Sequence, residues 1–167
     1  MSKSKSLTHV DDLGRARMID VSAKAVTRRQ AEAMGQIRMA EATLEAVRAN
    51  TVRKGDVLAV ARLAAVGGAK RTADLIPLCH PLMLDGIDVS VETIPELPGI
   101  RLSVAVTTEG RTGVEMEALC GVSAGLLAVY DMCKAMDRGM EIGPVRLVRK
   151  TGGASGEWHR TDSTDQP

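Results

Sequence analysis

The segment 75–82, LIPLCHPL, constrains the fold of this chain more than any other stretch. Pro77 and Pro81 cannot donate backbone hydrogen bonds, and each pushes the residue before it toward an extended conformation. Cys79 and His80 are therefore predicted to lie on a stiff, non-helical bridge between two regular elements. Because both flanks are apolar, we expect the bridge to pack on the core. The bridge is either part of a functional site built around the imidazole or a buried linker whose histidine is satisfied by a carbonyl group.

The composition predicts one domain with a core that is almost free of aromatic side chains. The chain has 167 residues with no Phe, one Tyr and one Trp, so aliphatic residues must fill the core. The formal net charge is +1, and nothing global predicts binding to nucleic acid or to an acidic membrane. Three cysteines without a Cys-x-x-Cys pair are typical of reduced thiols. No apolar run approaches the length of a membrane span and the N-terminus lacks a signal peptide, so we expect a soluble, cytoplasmic protein.

Hydrophobic periodicity predicts the order of the secondary-structure elements. Strict alternation indicates strands, and steps of three and four residues indicate helices. Asp56 and Thr112 are the expected N-caps of the second and the last helix. We predict, in chain order, a short strand at 18–21, a strand at 27–38, a helix from residue 40, a helix at 57–66, strands at 87–91 and 102–106, a helix at 114–136 and a strand at 145–149.

From the strand at 27–38 onward, with the first two helices counted as one pair, this order is the split β-α-β-β-α-β pattern of a ferredoxin-like sandwich. In this α+β fold, helices cover one face of an antiparallel sheet. We expect residues 1–8 to be a flexible N-terminus, 9–150 a single catalytic domain, and 151–167 a flexible loop and tail rich in Gly and Ser. The architecture hosts many activities, so the function must be argued from particular residues.

The long helix carries a charged pair in an apolar sequence. Asp131 and Lys134 are neighbours one turn apart, among Leu127, Val129 and Met132. At this spacing an exposed pair is usually a surface ion pair that contributes little to stability. A lysine held near a carboxylate in an apolar wall would instead suit general acid–base catalysis, because partial burial tunes the pKa of both groups.

Basic residues recur where the predicted elements end. They are either solvated surface charges or a clamp for a polyphosphate, and they are Arg29, Arg53, Lys54, Lys70, Arg71, Arg111, Arg149 and Lys150. The segment 150–156, KTGGASG, offers backbone amides to a phosphate but lacks the Gly-Lys-Ser/Thr ending of a P-loop. Zinc at Cys79 and His80 is disfavoured because adjacent ligands are poorly spaced. A Cys79 nucleophile activated by His80 is disfavoured because adjacent side chains on extended backbone point to opposite faces.

Seven short segments, in order and spread over nearly the whole chain, match one known family. They are MIDVSAK at 18–24, KGDV at 54–57, AKRT at 69–72, DLIPLCHPL at 74–82, TGVEMEAL at 112–119, YDMCKA at 130–135 and IGPVR at 142–146. With these segments the chain resembles the molybdenum cofactor biosynthesis protein C family of cyclic pyranopterin monophosphate synthases. The resemblance implies a ferredoxin-like protomer in a homohexamer, a trimer of dimers with sites at a subunit interface.

The resemblance also implies the reaction and the residues that carry it. The substrate would be 3′,8-cyclo-7,8-dihydroguanosine 5′-triphosphate from an upstream radical SAM enzyme, and the products would be cyclic pyranopterin monophosphate and pyrophosphate. No cofactor is implied, although Mg²⁺ would accompany the triphosphate. The catalytic positions carried over are Asp131, Lys134 and Lys54, and no metal ligand is among them. The substrate-binding positions are Leu78, Cys79, His80, Met116, Glu117, Lys70, Arg29, Glu115 and Lys150.

The glycine-rich segment departs from the family pattern in two places. Ala154 stands where the pattern has a lysine, and Thr151 replaces a serine. The remaining lysines supply phosphate contacts in this interpretation, and Lys54 and Lys70 are both expected to act on phosphate. One phosphate contact is nevertheless expected to be absent at Ala154.

Two other classes of protein compete with the synthase. A non-catalytic ferredoxin-like sensor of an anionic metabolite explains the fold and the basic residues, but it gives no reason to hold Asp131 and Lys134 together. A zinc-dependent hydrolase would need bound metal. The synthase reaction fits the residue types, because rebuilding a purine into a pterin needs proton transfers without a redox step, and expelling pyrophosphate needs cations.

Overall fold

The structure is a computed structural model that describes residues 14–154 and 156–161. Within these residues one sheet holds six strands: β1 (Thr27–Arg38), β2 (Gly86–Ile94), β3 (Gly99–Gly110), β4 (Glu141–Ile142), β5 (Arg146–Thr151) and β6 (Trp158–His159). The same residues form four helices: α1 (Glu41–Arg48), α2 (Val57–Lys70), α3 (Thr72–Leu75) and α4 (Glu115–Cys133). The prediction for residues 1–8 lies outside the described residues.

The sheet has the strand order of a ferredoxin-like sandwich. The order is β2-β3-β1-β5-β6, β4 also pairs with β1, and every pair is antiparallel. The long central pair runs without a shift from Thr27 opposite Gly110 to Arg38 opposite Gly99. Alternate residues of both strands are fully buried, as Ala33 and Val104 illustrate. The predicted α+β sandwich is therefore confirmed.

Small residues hold the two longest helices close together above the sheet. A side chain at Gly121 would lie 3.1 Å from the carbonyl of Ala65, and one at Gly68 would lie 2.9 Å from the carbonyl of Cys120. Close approach of the backbones gives a dense interface without aromatic side chains. The predicted end of α2 at Val66 was wrong, because the glycines at 67–68 serve this contact and the helix continues to Lys70.

The apolar composition of α4 follows from its central position. By length and composition alone, α4 would be apolar enough to cross a membrane, contrary to the expectation that no run approaches that length. Half of this stretch is buried inside the fold, where α4 packs on α2, β1 and β3. The apolar character of α4 is therefore explained by its burial in the core of the fold.

Of three local predictions, concerning two helix N-caps and one short strand, one is confirmed and two are wrong. The Asp56 cap is confirmed, since its carboxylate accepts from the backbone N–H of Ala59 at 2.9 Å. The cap at Thr112 was wrong: Val114 holds the N-cap position of α4 and makes no side-chain capping bond there. The strand at 18–21 was also wrong, because Ile19 and Val21 give their carbonyl groups to the His80 ring and to a local turn instead of a strand partner.

The predicted flexible tail contains a strand. Trp158 and His159 pair with Lys150 and Arg149 of β5, and Arg160 donates from its backbone to Val148. The glycine-rich turn before them lets the chain fold back on the edge of the sheet, an arrangement that composition alone does not indicate. Residues 155 and 162–167 lie outside the described part of the chain.

Candidate functional site

The proline-containing bridge is irregular and is anchored to the sheet. After α3, residues 76–85 form neither helix nor strand, as predicted. The hydroxyl group of Thr108 donates to the carbonyl of Met83 at 2.6 Å, and the carboxylate of Asp85 accepts from the backbone N–H of Glu109 at 2.7 Å. These bonds fix the bridge against β3 and hold Cys79 and His80 in place.

The bridge forms one wall of a cavity of about 450 Å³, here called the apolar cavity. The apolar part of its lining consists of Ile19, Val21, Ile76, Leu78 and Met116. The other lining residues are Lys24, Cys79, His80, Thr112, Gly113 and Glu115. The ring Nε2 of His80 lies 2.9 Å from the carbonyl oxygen of Ile19. The imidazole is thus satisfied by a carbonyl group, and it also borders a cavity, so these contacts do not decide between the two interpretations.

Glu117 lies behind the wall of the apolar cavity and does not line it. The residue is only 3 % exposed, and its Oε1 accepts from the thiol of Cys79 over 3.6 Å. Among the described residues, its Oε2 has no hydrogen-bond partner. Burial raises the pKa of the Glu117 carboxyl, and burial together with the nearby Glu117 charge raises the pKa of the Cys79 thiol to about 11.

A second cavity of about 650 Å³, here called the basic cavity, adjoins the first. The two share Lys24, Thr112, Gly113 and Glu115. Cationic side chains line it: Lys24, Arg29, Arg111 and Lys150. A pocket with this lining suits a polyanion, because fixed cations neutralise phosphate charge.

Hydrogen bonds and an ion pair hold the cations of the basic cavity in position. The guanidinium of Arg29 donates to the carbonyls of Gly110 and Arg111 at 2.8 and 3.1 Å, and Lys150 lies 3.1 Å from Glu115. A side chain at Gly153 would meet the Arg29 guanidinium, and the φ of +71° favours glycine at this position. The glycine-rich segment therefore lies directly against Arg29.

Lys54, Asp131 and Lys134 form a third cluster, here called the lysine–aspartate cluster. Lys134 Nζ lies 2.7 Å from Asp131 Oδ1, and Lys54 Nζ lies 2.8 Å from Asp131 Oδ2. All three side chains are about half exposed in the protomer, so the apolar wall expected around the pair is not present. Bonds from Lys134 and Lys54 lower the pKa of Asp131 to about 2, and the bond to Asp131 raises the pKa of Lys134.

The structure divides the predicted site residues between the two ends of α4. Glu115 and Met116 border the cavities at the N-terminal end, whereas Asp131 lies near the C-terminal end. At 1.5 Å per residue the two ends are about 24 Å apart. The residues near the first end are Leu78, Cys79, His80, Met116, Glu115, Glu117, Arg29 and Lys150. Lys70 belongs to neither group, because it is exposed at the end of α2 and does not line the two cavities.

Sequence reasoning missed Lys24 and did not assign Arg111 to the site. Lys24 follows the predicted strand at 18–21 and was given no role in the site, yet it lines both cavities. Arg111 was counted only among the basic residues at element ends; it lines the basic cavity and donates to the carbonyl of Ser22. Lys24 lies in a segment that matches the family, and this signal could have identified it.

The described residues contain no group of three or more His, Cys, Asp or Glu side chains placed to hold a metal ion. What the described chain does offer is an apolar cavity, a basic cavity beside it, and an exposed carboxylate between two lysines. Together these features define an α+β protein with a candidate site whose lining suits an anionic small molecule.

Comparison with protein families assigns the chain to a known family. The MoaC family model matches residues 18–153, which is most of the chain. The chain therefore belongs to the MoaC family, and the resemblance found in the sequence is confirmed. MoaC proteins are enzymes of molybdenum cofactor biosynthesis.

Proposed function

We propose that the protein is a cyclic pyranopterin monophosphate synthase, a lyase that converts 3′,8-cyclo-7,8-dihydroguanosine 5′-triphosphate to cyclic pyranopterin monophosphate and pyrophosphate. Family membership supports the biosynthetic role. The observation that carries the finer proposal is the junction of the apolar and basic cavities at Lys24 and Glu115. A ligand with a flat ring at one end and a triphosphate at the other matches this junction.

In this proposal the two cavities bind different parts of one substrate. The apolar cavity takes the purine-derived ring against Leu78 and Met116. The basic cavity takes the triphosphate, and Arg29 and Lys150 neutralise the charge that develops on the departing pyrophosphate. Any Mg²⁺ would enter with the triphosphate as its counter-ion.

The lysine–aspartate cluster supplies proton transfer. Asp131 stays ionised at neutral pH and, by its negative charge, keeps Lys134 in the ammonium form. Lys134 is therefore assigned as a general acid that donates a proton to the rearranging ring, and Asp131 and Lys54 position it. This assignment requires no redox cofactor, because the reaction rearranges the ring and cyclises the phosphate without net electron transfer.

A single protomer cannot bring these parts together. A general acid must lie within roughly 3 Å of the atom that it serves, and the cavities and the cluster lie at opposite ends of α4. We infer that each site joins the cavities of one protomer to the lysine–aspartate cluster of its neighbour. A homohexamer built as a trimer of dimers would provide such interfaces. The protein would act in the cytoplasm, on the cyclised triphosphate that an upstream radical SAM enzyme makes.

Incubation of the purified protein with authentic 3′,8-cyclo-7,8-dihydroguanosine 5′-triphosphate tests the proposal. We expect one pyrophosphate and one cyclic pyranopterin monophosphate for each substrate consumed, and no pyrophosphate from GTP, which lacks the bond between the ribose and C8. Tight binding of the substrate by the oligomer without pyrophosphate release would reject the synthase and favour the sensor.

A further inference from the structure

The carboxylate of Asp137 binds backbone N–H groups from two separate segments. Its Oδ2 accepts from the N–H of Ala40 at 2.7 Å, and its Oδ1 accepts from the N–H of Gly139 at 2.9 Å. Ala40 is the N-cap residue of α1, whereas Gly139 ends the segment 134–139 that follows α4, here called the lysine turn. Hydrogen bonds to a charged acceptor are roughly twice as strong as neutral ones. One carboxylate thus joins the lysine turn to the start of α1.

The lysine turn begins with Lys134, the proposed general acid. Lys134 directly follows α4, and its backbone N–H donates to the carbonyl of Tyr130 at 2.8 Å. The backbone N–H of Asp137 donates to the end of α4 at 3.1 Å, and the hydroxyl group of Tyr130 donates to the carbonyl of Arg138 at 3.2 Å. These bonds lie within α4 and its turn. The bond from Ala40 to Asp137, in contrast, connects the turn to another element.

Helix α1 also leads to the second lysine of the lysine–aspartate cluster. Leu44 and Val47 are buried, so the helix is anchored in the core. The loop that follows is bonded to its C-terminal end, where the backbone N–H of Thr51 donates to the carbonyl of Ala46 at 2.9 Å. Lys54 lies in this loop. With eight residues, α1 spans about 12 Å between the contact with Asp137 and the loop of Lys54.

We propose that Asp137 is a positioning residue, which ties the lysine turn to α1 and so holds Lys134 and Lys54 on the two oxygens of Asp131. Those contacts are 2.7 and 2.8 Å long. A misplacement of about 1 Å at a reacting group can cost about a hundredfold in rate. The consequence for turnover rests on the proposed function, whereas the link between Asp137 and the cluster does not.

Capping of α1 does not account for these contacts. A capping side chain serves the N–H groups of the second or third helical residue. Asp137 instead binds the N–H of Ala40, the N-cap residue itself, and its other oxygen binds within the lysine turn. The two bonds therefore fix the turn relative to α1, in addition to placing a negative charge near the N-terminus of that helix.

Asp137→Asn tests the link with little change in shape. A carboxamide has a single oxygen, so one of the two N–H groups loses its acceptor and faces an NH₂ group instead. We expect kcat for the cyclised triphosphate to fall about tenfold or more while KM stays within a few-fold of the wild type. Val91→Ala is the control for lost stability, because Val91 packs against the core from β2 and has no contact with the cluster. It should lower Tm and leave kcat unchanged.

Titration of the Asp131 carboxyl gives a readout that does not need turnover. Carbon NMR of labelled aspartate, assigned with Asp131→Asn, reports its pKa. The charged groups that face Asp131 are Lys134 and Lys54, and Tyr130 acts on Lys134. These lysines hold the pKa of Asp131 at about 2. We expect Asp137→Asn to raise this pKa by about half a unit or more. Loss of the negative charge at Asp137 alone would lower it, so a rise identifies displaced lysines.

The two measurements separate this proposal from the proposed function. If the wild type releases no pyrophosphate but the Asp131 pKa rises in Asp137→Asn and not in Val91→Ala, the synthase assignment fails and the positioning role stands. An unchanged or lowered Asp131 pKa in Asp137→Asn would overturn the proposal, whatever happens to kcat. A raised pKa with wild-type kcat would refute the role in turnover, and so would an equal loss of kcat in Val91→Ala.

Discussion

Lys134 Nζ lies 2.7 Å from Asp131 Oδ1, on the last turn of α4, while Lys54 binds the other carboxylate oxygen from the loop before α2. One carboxylate is thus shared by two ammonium groups from distant parts of the chain. An exposed ion pair contributes little to the stability of a fold, so folding of the protomer does not account for this arrangement. It fits the proposed role of the cluster in proton transfer.

Asp131→Asn and Lys134→Met should therefore affect turnover far more than stability. General acid–base groups contribute about a hundredfold to ten-thousandfold in rate. We expect both variants to keep the oligomeric state and substrate affinity of the wild type and to lose at least about two orders of magnitude in kcat. Initial rates of pyrophosphate release would measure this. Near-normal turnover in Lys134→Met would reduce the cluster to a surface ion pair.

The lowered pKa of Asp131 predicts a specific pH dependence of stability. Its folded pKa is about 2, below the ordinary value of 3.8, so its ion pairs stabilise the fold above about pH 4 and are lost as the pH falls toward 2. The difference in Tm between the wild type and Asp131→Asn should shrink across this window. Asp88→Asn, at an exposed position of β2, is the control and should show no such trend. A difference that is constant from pH 5 to pH 2 would contradict the assigned cause.

Gly152→Ala should disrupt the glycine-rich segment that closes the basic cavity. Gly152 has a φ of +89°, and a side chain there would overlap the carbonyl of Arg28. Gly156→Ala is the matched control, because Gly156 also has a positive φ, of +63°, but open space around its Cβ position. We expect Gly152→Ala to weaken substrate binding clearly more than Gly156→Ala. Calorimetry would measure the substrate affinity of both variants. An equal loss of affinity would show that backbone strain alone is responsible, and that the close packing of Gly152 against β1 has no effect on binding.

Lys150→Ala should weaken binding of the triphosphate and reduce its dependence on salt. Lys150 lines the basic cavity, where screening by added salt weakens each cation–phosphate attraction. Arg48→Ala, which removes an exposed cation from α1, is the control. We expect a lower slope of log Kd against log salt for Lys150→Ala alone. Identical slopes in the two variants would remove Lys150 from the phosphate site.

The sandwich was predictable from the spacing of apolar residues, which alternate in β1 and β3 and recur every three or four residues in the helices. Burial of one face of an element dictates this spacing. The same rules failed where contacts are not periodic. Gly67 and Gly68 were interpreted as a helix end, although Gly68 allows close contact with α4. The segment at 18–21 alternates like a strand, but His80 takes the Ile19 carbonyl.

For the candidate site, the sequence named most of the residues that the structure groups at the two ends of α4, but it did not predict their division between those ends. Asp131 and Lys134 are neighbours by helical spacing, and this follows from sequence. Lys54 joins them through the fold, and no local pattern indicates this contact. The burial of Glu117 behind Cys79 likewise depends on how the bridge packs against α4. Such contacts between distant segments need the tertiary structure.

The proposed shared site requires an oligomer. Light scattering at micromolar concentration should give the mass of a hexamer for the wild type. A stable monomer with full activity would contradict the shared site, because one protomer places its two functional ends about 24 Å apart.

Complementation between two inactive variants tests the central claim most directly. Lys150→Ala combined with Arg29→Ala disables the basic cavity, and Lys134→Met disables the lysine–aspartate cluster. Because a shared site takes one end of α4 from each of two protomers, random mixing in equal amounts leaves about one quarter of the sites intact. The account predicts that co-expressed mixtures release pyrophosphate from the cyclised triphosphate at about one quarter of the wild-type rate, while each variant alone is inactive. A mixture as inactive as its components would contradict it.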